Sequence, residues 1–127
     1  MISLTVEEIV SLQEKLIDKC GGIRGVRDIG MVESAVYSAM QSFGGQEVYG
    51  TPEKRAARLA YALTMNHGFL DGNKRIGILV MLMTLRLNHV ELKYSQQELV
   101  ALGLGIAAGE LDYEAILYWI RGHIKRS

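Results

Sequence analysis

The feature that most constrains this chain is the recurrence of helix-start chemistry ahead of apolar residues at helical spacing. Thr5-Val6-Glu7-Glu8 and Ser95-Gln96-Gln97-Glu98 both have the form of a capping box, in which Ser or Thr and a Glu three residues on satisfy free backbone donors. Asp28, Thr51 and Asp112 are further N-cap candidates, and Pro52 follows Thr51 at the first helical position, where its missing N–H costs nothing. Behind these starts lie the stripes Ile9-Leu12-Leu16-Ile17, Val32-Ala35-Val36-Ala39-Met40, Ala56-Leu59-Ala60-Leu63 and Ala115-Ile116-Trp119-Ile120. A fourth helix is expected from about Asn73 to about Asn88, and the segment His89 to Tyr94 alternates enough to suggest a short extended piece. Pro52 is the only proline, and β-branched residues rarely alternate. The expectation is all-α: one domain over residues 1–127, a compact bundle of about six helices.

Composition narrows the function. Hydrophobic residues make up 49% of the chain, enough for a core and too many for a disordered segment. Fourteen Lys and Arg balance 14 Asp and Glu, so the basic excess expected of a nucleic-acid or anionic-membrane coat is missing, and any anion site must be local. The longest apolar stretch, Ile76 to Leu85, falls short of the about 20 residues a bilayer span needs. The N-terminus lacks the basic start and apolar run of an export signal. The lone Cys20 rules out an intrachain disulfide and a multi-Cys zinc site; it reads as buried and inert, and fits a cytoplasmic location.

The chemistry concentrates in nine residues, His67-Gly68-Phe69-Leu70-Asp71-Gly72-Asn73-Lys74-Arg75. The backbone N–H groups of Gly72, Asn73 and Lys74 fall at a helix start, where unpaired donors and the positive end of the dipole bind phosphate. Lys74 and Arg75 add full charges, and Arg grips phosphate in a bidentate way. Cations in a first turn oppose the dipole unless an anion joins them. Asp71 is a hard oxygen ligand suited to a nucleotide-borne Mg²⁺, although alone it would read as a helix N-cap. His67 shares a stripe with Leu59 and Leu63 and alone would read as a core histidine. Its neighbours make it instead the group able to take a proton from a hydroxyl near neutral pH. Together these residues suit phosphoryl or nucleotidyl transfer. A Walker-type site is excluded, because no G-x-x-x-x-G-K-[ST] is present.

This run resembles the signature of the Fic/Doc family, His-x-Phe-x-(Asp/Glu/Asn)-(Gly/Ala)-Asn-(Gly/Lys)-Arg, and in particular its death-on-curing (Doc) branch. Residues 21–28, Gly-rich after the first helix, and residues 105–110 extend the resemblance over nearly the whole chain. The resemblance implies that His67 is the general base, that Asp71 binds Mg²⁺, that Gly72, Asn73 and Lys74 form the anion-binding turn, and that Arg75 grips phosphates of ATP. Phe69 becomes a core anchor. Two departures separate the branches: Lys74 stands where AMP-transferring members carry Gly, and Ile78 where they carry a second Arg. Both match the Doc branch, which implies a kinase passing the γ-phosphate to a Thr or Ser hydroxyl of a target such as elongation factor Tu, blocking translation. The alternatives are an AMP transferase and a non-catalytic module that keeps the nucleotide pocket. Gly68 replaces the usual Pro, which suggests a looser loop.

The resemblance also implies a partner. No convincing inhibitory helix is present, so restraint is expected from a separate antitoxin similar to the Phd family, folding as a helix on exposed apolar residues such as Tyr37 and Met40. Arg24 and Arg27 are expected to attract its acidic residues. Residues 44–50 read either as a plain interhelical loop or, by resemblance, as a flap that pairs with a target peptide. His89 and His123 have no partners at ligand spacing and read as structural or surface residues.

Overall fold

A computed structural model describes residues 1–126. The six helices are α1 (Val6–Cys20), α2 (Ile29–Ser38), α3 (Pro52–Asn66), α4 (Asn73–Leu87), α5 (Gln96–Ala107) and α6 (Tyr113–Gly122). Between α2 and α3 lies a hairpin of β1 (Ser42–Phe43) and β2 (Gln46–Glu47), paired antiparallel. The all-α expectation of about six helices holds, with this two-stranded hairpin as the one β element among the described residues. None of these helices is long and apolar enough to cross a membrane.

Local chemistry sets most boundaries. Thr5 and Ser95 close complete capping boxes with Glu8 and Glu98, while Asp28, Thr51 and Asp112 cap α2, α3 and α6 through their side-chain oxygens. α4 alone starts on a residue with no capping side chain, Gly72, held in the left-handed region at φ 75°. Gly44 and Gly45 also take positive φ, as the tight turn of the hairpin requires.

α3 and α4 pack most closely of all the helix pairs and form a central layer. On one side they bury Leu59, Leu63, Ile76 and Val80 against Ile9 of α1 and Val32, Ala35 and Val36 of α2. On the other, Ala56, Ala60, Ile78, Met81 and Leu85 meet Leu102 and Ile106 of α5 and Ile116 and Ile120 of α6. The end of α3 and the start of α4 are therefore flanked by both outer layers.

Several expectations need correction. Cys20 is exposed although it falls on the same helical face as Ile9, Gln13 and Ile17, because it is the last residue of α1, where the chain from residue 18 to residue 24 lies at the surface. The short extended piece expected within His89 to Tyr94 is present, but only as a single antiparallel bridge of Leu92 with Ile124, with the Lys93 N–H donating to the His123 carbonyl and the Lys125 N–H to the Glu91 carbonyl. The hairpin starts before the expected flap, at Ser42, and β1 and β2 are exposed throughout. Its base is fixed by an ion pair of Glu47 with the buried Arg55 (3.0 Å) and by Tyr49, packed edge-on to Tyr113.

Candidate functional site

His67 terminates α3 as its C-cap, in the left-handed conformation (φ 50°, ψ 45°). That turn removes it from the Leu59–Leu63 stripe and leaves it exposed, so the core reading fails for a backbone reason. Gly68 and Phe69 are buried behind it; Phe69, 1% exposed, is the expected anchor in the α1–α2 side of the core.

The loop from α3 to α4 is closed by Asn73. Its Oδ1 accepts from the Phe69 N–H and its Nδ2 donates to the Phe69 carbonyl, both at 3.0 Å. The Asn73 side chain is thus committed to shaping the turn, which leaves its backbone N–H as the group available to an anion. The N–H groups of Asn73, Lys74 and Arg75 have no intrahelical acceptor, as in any first turn. Lys74 runs its stem past Gly103 of α5. Arg75 donates to the Gly21 carbonyl at 3.1 Å and lies 3.8 Å from Asp71 Oδ1.

Asp71 is not the N-cap of α4. Its Oδ1 accepts from the Gly72 N–H (2.8 Å) and its Oδ2 from the Ile23 N–H (3.1 Å). A carboxylate has about four lone-pair positions, so two acceptances leave capacity for a cation. Among the described residues no group of three or more His, Cys, Asp or Glu is placed to hold a metal. The donor set fits a cation that takes one protein carboxylate and finds its other ligands in phosphate oxygens and water, as Mg²⁺ does with nucleotides.

The second half of the site comes from residues 21–28, which run antiparallel to the motif and are tied to it almost residue by residue. Arg27 Nε donates to the His67 carbonyl at 2.6 Å, and the N–H groups of Arg27 and Asp28 both donate to the Gly68 carbonyl. Val26 bridges Phe69, the Leu70 N–H donates to the Gly25 carbonyl, Ile23 holds Asp71, and Gly21 receives Arg75. Glycine at 22 makes this approach feasible: a Cβ there would fall 2.6 Å from Asp71 Oδ2, and its φ of 125° suits no other residue. Beneath the strip sits Gln13, fully buried, donating to the Asp71 and Ile23 carbonyls and accepting from the Gly25 N–H.

Gly68 does not loosen its loop. A Cβ there would fall 2.5 Å from Val32 Cγ2 and 3.0 Å from the Val32 backbone nitrogen, so the glycine lets α2 close onto the motif. Arg24 and Arg27 are not free to recruit acidic residues: Arg24 pairs with Glu14 and Asp18, and Arg27 holds carbonyls of its own chain. Tyr37 and Met40 are exposed, at 58% and 41%.

A concavity of about 420 Å³ is lined by His67, Asp71, Gly72, Asn73, Lys74 and Arg75, with Thr64 and Ala107 behind them. All six residues singled out in the sequence share this one opening. Ile78 is buried instead in the α5–α6 side of the core. A larger cleft of about 920 Å³ lies around the far end of α4, near Arg86 and His89, and holds none of these residues. Sequence reasoning missed Gln13, Ile23 and Arg27 as site builders. The signal for Gln13 was its position midway between Ile9 and Ile17 on the buried face.

Residues 3–85, from the start of α1 through nearly all of α4, match the model of the Fic/DOC family. The chain is 29% identical over 121 residues to the protein of Escherichia phage P1 named "Protein kinase doc", covering 95% of this chain and 94% of that protein. It is 35% identical over 72 residues to "Toxin Doc" of Mycolicibacterium smegmatis, covering 57% of this chain and 55% of that protein. The helix-start site and the glycine strip that builds it both lie inside the matched region, and the chain belongs to the Fic/DOC family.

Proposed function

We propose that this chain is a Doc-like toxin, a kinase that moves the γ-phosphoryl group of ATP to a Thr or Ser hydroxyl of a target protein. The observation that carries the reading is the start of α4: uncapped, with two cations in its first turn, and sharing one concavity with His67. A turn of this kind favours a polyanion by both dipole and charge. The relative of phage P1 that matches the chain nearly end to end is named a protein kinase, which supports the transfer class.

In this reading His67 accepts the proton of the attacking hydroxyl as its oxygen bonds to phosphorus and the bond to the leaving ADP oxygen breaks. The N–H groups of Asn73 and Lys74, with Arg75, hold the phosphate oxygens on which charge is spread. Gly72 supplies the left-handed turn that starts the helix there. Asp71 would hold Mg²⁺, whose contribution is charge neutralisation. Lys74 and the buried Ile78 support phosphoryl over AMP transfer, since the chain offers no second arginine one turn along α4. Elongation factor Tu is the target, and an antitoxin similar to the Phd family the restraining partner, that the family likeness suggests.

The test is transfer of label to purified elongation factor Tu or to proteins of a bacterial extract. Label from γ-³²P-ATP should reach protein Thr or Ser, and label from α-³²P-ATP should not; the reverse replaces the kinase by an AMP transferase. His67→Ala should lower the rate by about 10²–10⁴-fold.

A further inference from the structure

We propose that Arg27 is the positioning residue of His67, acting through the backbone at the end of α3. The inference rests on the reading of His67 as the base. His67 is one of two non-glycine residues with positive φ among those described, a conformation with a steric cost, so something must hold it. The last carbonyls of a helix lack intrahelical donors. Here Arg27 supplies them from another element: Nε donates to the His67 carbonyl (2.6 Å), Nη2 to the Asn66 carbonyl (3.4 Å), and its own N–H to the Gly68 carbonyl (2.8 Å).

One residue thus contacts three successive carbonyls, centred on the position whose φ and ψ aim the imidazole. Its cation also sits at the negative end of the α3 dipole. A guanidinium fork is suited to this and an ammonium is not, because two carbonyls diverging at a helix end need two donors in one plane. Arg27 is exposed and lies outside both core clusters, so its replacement leaves the packing in place.

Reactive groups misplaced by about 1 Å can lose about 10²-fold in rate. Arg27→Ala and Arg27→Gln should therefore lower kcat about 10- to 100-fold with the KM for ATP unchanged, and Arg27→Lys should restore part of the loss. The chain has three histidines, so its imidazole NMR spectrum is simple. Arg27→Ala should move the His67 signals and leave those of His89 and His123 in place. Unchanged kcat in Arg27→Ala overturns the proposal. A fall in kcat with unmoved His67 signals also overturns it, because Arg27 then acts on the substrate directly. If His67→Ala keeps the wild-type rate, the base assignment fails, and the NMR comparison still decides whether Arg27 places the ring.

Discussion

Gly68→Ala tests whether the motif is held by close packing against α2. The added Cβ would stand 2.5 Å from Val32 Cγ2, 3.0 Å from Val32 N and 3.4 Å from the Asp28 carbonyl. The valine methyl can rotate away; the two backbone atoms cannot, so α2 must shift as a unit. Overpacking of this kind costs about 1–3 kcal/mol, and rigid backbone neighbours place it in the upper half of that range. Alanine returns about 0.4–1 kcal/mol by restricting the unfolded chain. The net loss is about 1–2.5 kcal/mol. At about 2.1 cal/mol/K per residue, a chain of 127 residues should then melt about 4–9 °C lower by calorimetry or circular dichroism. The control is Gly122→Ala at the end of α6, where a Cβ meets nothing within 4 Å and stability should rise by about 0.4–1 kcal/mol. A Gly68→Ala protein that melts at or above the wild-type temperature refutes the argument.

Phe69→Ala should cost about 3–5 kcal/mol, read by urea denaturation, since the ring is 1% exposed in the core. Thr51→Ala removes the cap of α3 and should cost about 1 kcal/mol by the same measurement. His123 is held above its ordinary pKa of 6.5, first by its bond to Glu98 and then by the Trp119 carbonyl, and Glu98 below its 4.5, chiefly by His123. The stabilisation from His123 is complete below 6.5 and fades as pH rises through its raised folded value; that from Glu98 is present above 4.5 and fades as pH falls through its lowered one. The pair should therefore tie α5 to α6 most strongly between pH 4.5 and 6.5. Trp119, stacked on His123 at 3.9 Å and the only tryptophan, should report the change by fluorescence. A midpoint at or below 6.5, or a titration surviving in His123→Phe, contradicts the assignment.

The helices were legible because five of their starts carry side-chain caps, a local signal that needs no tertiary knowledge. The motif was legible for the same reason, since its groups are close in sequence. What could not be read is the half of the site that arrives from 40 or more residues away. Gln13 looks like a surface residue until α1 is known to bury every fourth position, and Arg27 looks like a free cation until α3 ends beside it. His67 was placed on the apolar stripe because periodicity assumes the helix continues; one left-handed residue breaks that assumption.

The antiparallel strip between residues 21–28 and the motif makes the site fail as a unit. The same short run fixes the carbonyl of His67 through the Arg27 side chain, the carboxylate of Asp71 through the Ile23 N–H and the guanidinium of Arg75 through the Gly21 carbonyl. Any molecule that peels this run from the motif releases all three groups together, without entering the opening they share. On the proposed kinase reading, an inhibitor screen confined to nucleotide mimics would overlook that mode of attack; the seam between the two segments is a second place to aim.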